Sequence, residues 1–271
     1  MALLRLPEPY DFELSTERFR AFGPDLANLW RDGVVYRVVD GREVQIARAE
    51  GGVDVEPLDG ATDPVVRKLL GLDFGDLNEF YELAEEEPVL ARLVPRLRGL
   101  RPPLAPDPFE AIVSSITAQQ VSLFSAFATR SRFVERFGVR GGHAFGFPTT
   151  ERVASTSEDE LVTLGFSRRK AEYVLGIARD PLDWNQLATL PDDEVKARIV
   201  ARRGLGEWSA DWFLARHLAR PRAWPAGDLG LRKAVAAFYG EDDVRAAGDR
   251  FDPFQNLSAH YLLTGLRVVG S

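Results

Sequence analysis

The sequence predicts an α+β fold in which an antiparallel β-sheet with flanking helices precedes a helical region. Two β-rich runs within residues 34–48 flank an Asp-Gly pair, which is a typical hairpin turn. Four prolines between residues 101 and 108 then indicate a linker. Beyond that linker the apolar residues recur with a helical period. These three observations predict an N-terminal α+β domain over residues 1–102 and a helical region over residues 103–271.

Turn signals and apolar spacing predict the elements of the first domain. The predicted strands cover residues 34–39, 44–48 and, with a weaker pattern that two glycines interrupt, 48–58. The predicted helices cover residues 16–29, 63–70 and 88–100.

The helical region begins with an apolar stripe at Phe109, Ile112, Val113 and Ile116, which has the i, i+3, i+4, i+7 spacing of one helix face. The stripe stops at residues 118–120. A second helix then follows, for which Ser122 is a suitable N-cap. Further helices are predicted to start at Ser167 and to cover residues 191–202, 207–218, 229–239 and 257–268.

The charge of the chain is unevenly distributed. The formal net charge of the 271 residues is −7, which as a whole argues against a nucleic-acid partner. Residues 1–106 contain 13 basic and 20 acidic side chains, whereas the remaining residues contain 21 of each. A local basic face in the helical region is therefore compatible with the overall charge.

The composition also excludes several classes of site and location. No run approaches the roughly 18 apolar residues of a membrane span, and the N-terminus lacks a secretory signal, so we expect no membrane partner and a cytoplasmic location. The absence of cysteine excludes disulfides, thiolate zinc sites, iron–sulfur clusters and cysteine nucleophiles. The chain contains four lysines, of which Lys170, Lys196 and Lys233 follow the linker. Amine catalysis would require one of them at the active site.

The most informative local pattern is Gly204-x-Gly206 between two predicted helices. Two glycines one residue apart permit a tight turn and leave backbone amides uncovered near a helix N-terminus. Such a turn can bind a phosphate without basic side chains. The alternative is that the glycines only form a turn.

Four blocks of sequence together resemble a known family. Residues 203–213 resemble the helix-hairpin-helix element of the base-excision DNA glycosylases, and most closely that of the 3-methyladenine DNA glycosylase II (AlkA) family. In the same order along the chain, residues 108–122 resemble the segment with the DNA-wedge loop of that family. Residues 164–173 resemble its second helical block, and residues 224–233 resemble the segment with its catalytic aspartate. The resemblance implies two helical lobes, with a helix-hairpin-helix motif, around an active-site cleft.

The resemblance assigns the catalytic role to Asp228. Hydrolysis of a nucleotide's glycosidic bond passes through a sugar with positive charge, which a nearby carboxylate can stabilise. The alternative is that Asp228 only caps the helix that begins at Leu229, and the two roles are compatible.

Trp208 and Trp212 are the candidates for the base pocket. They lie at i and i+4, on one face of the second hairpin helix. An aromatic wall would stack against a flipped base and attract a cationic one, while the alternative is ordinary core packing. In the bifunctional branch of the superfamily a lysine occupies the position of Trp208.

Two further groups of residues are implied to contact DNA. Gln119 and Gln120 interrupt an apolar stripe where the family inserts a wedge into the duplex, although they are also plausible solvated loop residues. The hairpin is expected to bind a DNA phosphate through Arg203, Gly204, Leu205 and Gly206. The carbonyl groups of Gly204 and Gly206 are candidate ligands for a structural monovalent cation, Na⁺ or K⁺; no cofactor is required.

Together these features predict a monofunctional DNA glycosylase that starts base excision repair. It would flip alkylated bases of the 3-methyladenine type out of double-stranded DNA and hydrolyse the N-glycosidic bond. We expect a monomer, associated with the nucleoid if the source is a bacterium. The alternatives are a bifunctional glycosylase and AP lyase, which would need a lysine at the hairpin, and a non-enzymatic helix-hairpin-helix DNA-binding protein.

Overall fold

A computed structural model describes residues 2–269 and confirms the predicted α+β class. Met1 and residues 270–271, where the two predicted domains begin and end, lie outside the described residues. Strands β1 to β5 are Ala2–Arg5, Leu29–Arg31, Val34–Val39, Arg42–Ala49 and Gly52–Glu56. None of the helices within residues 2–269 has the length and apolar content needed to span a bilayer.

The strands form one antiparallel sheet in the order β1-β5-β4-β3-β2. Val35 pairs with Ile46, and Ile46 pairs with Val55, so these buried side chains form a row across one face. Asp40 and Gly41 both have positive φ, at 49° and 74°, as the predicted β3–β4 hairpin requires.

Sixteen α-helices occur within residues 2–269. In chain order, α1 to α16 are Phe12–Thr16, Arg18–Ala21, Thr62–Leu69, Asn78–Glu86, Leu90–Leu97, Pro108–Ala118, Leu123–Phe137, Thr150–Ala154, Glu158–Thr163, Arg168–Arg179, Trp184–Thr189, Asp192–Val200, Glu207–Arg216, Leu229–Tyr239, Val244–Ala247 and Gln255–Val269. Two 3₁₀ turns, Leu72–Phe74 and Gly248–Phe251, accompany them. Helices α1, α2 and α3 share a hydrophobic core with the buried side chains of the sheet.

The prediction of one continuous helix over residues 16–29 is wrong. Two short helices and strand β2 occupy this stretch instead. Gly23, with a φ of 95°, and the Pro24 that follows it end the helical path.

The helices bury two separate hydrophobic cores. Helices α6 to α13 share the first core, around Ile112, Phe133 and Leu214. Helices α4 and α5 share the second core with α14, α15 and α16, around Phe80 and Tyr261. The division at residues 102 and 103 stays a prediction, and the second core includes side chains from both sides of it. We call these two groups of helices the first and second lobes.

A buried ion cluster joins the sheet to the first lobe. Glu110 on α6 accepts hydrogen bonds from Arg37 of β3, at 2.7 Å, and from Arg130 of α7. Arg130 also pairs with Asp25, and all four side chains are at most 7% exposed. Burial alone would raise the pKa of Glu110, but the two guanidinium groups outweigh burial and hold that pKa below its usual value.

Glu110→Gln should lower the free energy of unfolding by about 3–5 kcal/mol, because it leaves buried guanidinium charge without its partner. The pKa of Glu110 is lower in the folded state than in the unfolded state. Its contribution to the free energy of unfolding is therefore fully present above the unfolded-state pKa of about 4.3, and is lost as the pH falls through the folded-state pKa. The folding stability of the variant should therefore fall less steeply in acid than that of the wild-type protein. Urea unfolding at neutral pH and in acid measures both effects.

Asp159→Asn is the control, because it removes one charge from an exposed pair with Arg168. Surface pairs contribute little, so its effect should be much smaller. If both variants lost the same free energy of unfolding, the buried Glu110 cluster would contribute no more to stability than an exposed ion pair does.

Candidate active site

The predicted hairpin is present between α12 and α13, and its two glycines play different roles. Gly204 has a φ of +86°, and a Cβ there would lie 2.1 Å from Cγ of Tyr173. Gly206 is the N-cap of α13, and a Cβ there would meet nothing within 4 Å. The turn therefore requires glycine at 204, whereas Gly206 faces open space at an uncapped helix N-terminus. Leu205 is buried between them and Arg203 is exposed.

The two glutamines predicted as a wedge have different surroundings. The Nε2 amide of Gln119 donates a 2.8 Å hydrogen bond to the carbonyl oxygen of Gly204, so this side chain links the end of α6 to the hairpin. Gln120 is exposed and has a φ of 55° in the loop before α7. Ser122 is the N-cap of α7, as expected. Insertion into DNA stays a prediction for both residues, and the geometry favours Gln120.

The carbonyl groups proposed for a monovalent cation already accept hydrogen bonds. The Gly206 oxygen accepts from the backbone N–H groups of Ser209 and Ala210, at 3.0 and 3.1 Å. The Gly204 oxygen accepts from Gln119. The Gly206 oxygen thus uses both of its lone pairs, whereas the Gly204 oxygen keeps one, and a monovalent cation at the hairpin stays a prediction.

Asp228 lies at the junction of the two lobes. It caps α14, since its Oδ1 accepts a 3.0 Å hydrogen bond from the Leu231 amide. Its Oδ2 accepts from the indole Nε1 atoms of Trp208 and Trp212, at 3.0 and 3.1 Å. Both tryptophans belong to α13 of the first lobe, whereas α14 packs in the second. The predicted cap is confirmed, and the three predicted residues form one contact.

The carboxylate of Asp228 retains room for a ligand. A carboxylate offers about four acceptor positions, and the indoles and the cap occupy three of them. The side chain is also half-buried rather than enclosed. One acceptor position is therefore available to a sugar or a water molecule, and the N–H donors keep the carboxylate in one orientation.

The lysines after the linker do not approach this carboxylate. Lys170 donates a 2.9 Å hydrogen bond to the Thr117 carbonyl, and Lys196 forms a 2.7 Å ion pair with Asp211. Lys233 is exposed on α14. Trp208, by contrast, donates a hydrogen bond to Asp228.

Sequence reasoning missed several side chains beside Trp212. The ring centre of His260, on α16, lies 5.6 Å from that of Trp212, and the guanidinium of Arg216 lies 5.6 Å from the same ring. Burial, followed by the nearby arginines, holds the pKa of His260 well below its usual value. Within residues 2–269 its Nε2 has no hydrogen-bond partner. His260 is therefore a buried imidazole that packs beside Trp212.

A second aromatic group lies where the N-terminal domain meets helices α7 and α16. The guanidinium groups of Arg18 and Arg267 lie 5.9 and 5.5 Å from the ring of Phe22. Phe124, which is 63% exposed, contacts Phe22 edge-on at 5.8 Å. Helices α2, α7 and α16 bring these side chains together from distant parts of the chain. No local sequence pattern could have indicated this proximity.

Comparison with known proteins identifies the family. The family model of the HhH-GPD superfamily of base excision DNA repair proteins matches residues 113–250, about half of the chain. The chain belongs to this superfamily. The superfamily that the sequence motifs predict is thereby confirmed.

Individual relatives agree with this assignment. The chain is 34% identical over 168 residues to a DNA-3-methyladenine glycosylase of Bacillus subtilis, covering 59% of this chain and 55% of the relative. It is 31% identical over 147 residues to DNA-3-methyladenine glycosylase 2 of Escherichia coli, covering 52% and 50%. The chain therefore spans about half the length of these curated relatives. The structure of a 3-methyladenine DNA glycosylase from Archaeoglobus fulgidus superposes with a TM-score of 0.88 at 29% identity, covering 99% of each chain.

The two hairpin glycines should differ in their tolerance of a methyl group. Gly204→Ala should lower the free energy of unfolding by at least about 1–3 kcal/mol, because it strains a left-handed residue and collides with Tyr173. Gly206→Ala should change it by less than about 1 kcal/mol, since the added Cβ meets open space. Thermal unfolding of both variants checks this, and equal losses would contradict the turn geometry described above.

Proposed function

We propose that this protein is a monofunctional DNA glycosylase that removes alkylated bases of the 3-methyladenine type from double-stranded DNA and so starts base excision repair. The observation that carries the proposal is the Asp228 carboxylate, held by two indoles at the junction of the lobes beside the hairpin. The relatives named as DNA-3-methyladenine glycosylases support the substrate class. A monomer in the cytoplasm, associated with the nucleoid if bacterial, remains our expectation.

The proposed reaction uses Asp228 as a fixed negative charge. As the glycosidic bond breaks, positive charge develops on the sugar, and a preorganised carboxylate stabilises it. The free acceptor position of Asp228 can contact the sugar or orient the attacking water. The base leaves, and the product is an intact strand with an abasic site.

The hairpin is the proposed DNA anchor. The uncapped N-terminus of α13 presents backbone N–H groups beside Gly206, where a phosphate is favoured by both hydrogen bonding and the helix dipole. Arg203 is exposed next to it, in an ion pair with Glu172 that DNA can replace. Gln120 is the proposed wedge that fills the space left by the flipped base.

Asp228→Asn tests the catalytic role. An asparagine has one carbonyl oxygen, so its amide faces either the two indole N–H groups or the Leu231 N–H, and at least one donor loses its acceptor. We expect a loss of about 1–3 kcal/mol of folding stability. Excision should slow by about 100-fold or more, because the fixed charge is lost. Single-turnover release of the base from a defined lesion duplex, measured below the unfolding transition, gives the rate.

Asp183→Asn is the matched control, because Asp183 caps α11 through the Gln186 N–H as Asp228 caps α14, but has no contact with Trp208 or Trp212. Its excision rate should remain within about tenfold of the wild-type rate. A comparable rate for Asp228→Asn would exclude Asp228 from the mechanism. Release of no base by the wild-type protein would favour the non-enzymatic alternative. Efficient borohydride trapping of a protein–DNA adduct would favour the bifunctional lyase.

Gly206→Asp tests the anchor. The added carboxylate should lower the affinity for duplexes of any sequence at least about tenfold, because it repels a phosphate at the helix N-terminus. The fold should survive, since the side chain enters open space. Gly60→Asp is the matched control, as Gly60 is exposed in the N-terminal domain and a Cβ there also meets nothing. Equal affinities of the two variants, measured by fluorescence anisotropy, would reduce Gly206 to a turn residue.

A further inference from the structure

The hydrogen bonds of Asp228 locate the free acceptor position of its carboxylate. Oδ2 accepts from two indoles, which use both of its lone pairs. Within residues 2–269 Oδ1 accepts one hydrogen bond, from the backbone N–H of Leu231. The remaining lone pair therefore belongs to Oδ1, and a sugar or a water molecule reaches the carboxylate at this oxygen.

Gly230 lies directly beside that oxygen. A Cβ at residue 230 would lie 3.0 Å from Oδ1 of Asp228 and 2.9 Å from Cδ2 of Leu263, on α16. Both distances are shorter than the 3.4–4 Å of ordinary van der Waals contact. The missing side chain thus leaves a space that has the carboxylate oxygen on one side and a leucine methyl group on the other.

This space lies on an accessible part of the surface. Gly230 is half-buried, whereas Gly227 is exposed and Leu229 is 63% exposed. The segment forms the N-terminus of α14, next to the indoles of α13. A nucleotide that is flipped out of a duplex can therefore approach Oδ1 without meeting a side chain at residue 230.

The helix itself gives no reason for a glycine here. Gly230 is the second residue of α14, and its φ is not in the left-handed region that favours glycine. Glycine is also a poorer helix former than alanine, because it loses more conformational freedom on folding. The close approach of Asp228 and Leu263 is the feature that excludes a larger residue.

We propose that Gly230 is a positioning residue for excision, because its missing side chain leaves Oδ1 of Asp228 open to the positively charged sugar of the flipped nucleotide. A methyl group there would cover part of this oxygen and press on a carboxylate that three N–H donors hold in one orientation. Misplacement of a reacting group by about 1 Å can slow a reaction about 100-fold. The inference rests on the proposed glycosylase function.

Gly230→Ala tests the inference through the rate. Single-turnover release of 7-methylguanine from a defined duplex should slow at least about tenfold, which corresponds to about 1.4 kcal/mol of barrier. Gly176→Ala is the matched control, since Gly176 is an exposed glycine within α10 and a Cβ there meets nothing within 4 Å. Its rate should equal that of the wild-type protein. The same rate for Gly230→Ala would refute the inference and leave the proposed function intact.

Binding to two abasic duplexes separates access to the carboxylate from a general disturbance of the fold. One duplex has a cationic pyrrolidine in place of the flipped sugar, and the other has a neutral tetrahydrofuran. Gly230→Ala should weaken binding of the pyrrolidine duplex at least about tenfold and of the tetrahydrofuran duplex less than about threefold, because only the pyrrolidine has the charge that Asp228 stabilises. Equal weakening of both, or of neither, would overturn the inference.

A Leu263→Ala background removes the second contact of the added methyl group. The methyl group then has room on the α16 side, so the protein can fold even if Gly230→Ala alone does not, while the contact with Oδ1 remains. Adding Gly230→Ala to this background should again slow release at least about tenfold. If the slowing disappears, the methyl group acts through the packing of α16 and the inference is wrong. Release of no alkylated base by the wild-type protein would refute the proposed function as well.

Discussion

The hydrogen bonds from Trp208 and Trp212 to Asp228 are the contact on which the site depends. They join α13 of the first lobe to the N-terminus of α14 in the second, and they do so at the proposed catalytic carboxylate. The carboxylate consequently has a structural and a chemical role. Its three N–H donors fix its orientation, and any substitution that removes its charge also disturbs the junction of the lobes.

A buried ion cluster fixes the position of the N-terminal sheet against the first lobe. Glu110 holds Arg37 of the sheet and Arg130 of the first lobe. Buried ion pairs contribute little net stability, but a partner missing from one is costly, so the cluster favours a single arrangement of sheet and lobe. In that arrangement Phe22, at the end of α2, packs against Phe124 and Phe127 of α7.

The sequence predicts those parts of the site that local chemistry determines. The spacing of Trp208 and Trp212 on one helix face, and the suitability of Asp228 as a helix cap, are local properties, and the structure has both. Sequence patterns do not predict strands β1 and β2. Strand β1 is an example, because its conformation depends on pairing with β5, about fifty residues away along the chain. His260 escapes sequence reasoning for the same cause, since folding alone brings α16 to α13.

The acidic net charge of the chain does not oppose binding to DNA, because binding depends on local potential. At physiological ionic strength, interactions between exposed charges are screened beyond about 8 Å. Much of the acidic excess lies in the first 106 residues, for example along α4. Residues 107–271, which include the hairpin, contain equal numbers of basic and acidic side chains, so that part of the chain has no net charge to repel a phosphate. The net charge of the whole chain is therefore a poor guide to its partner.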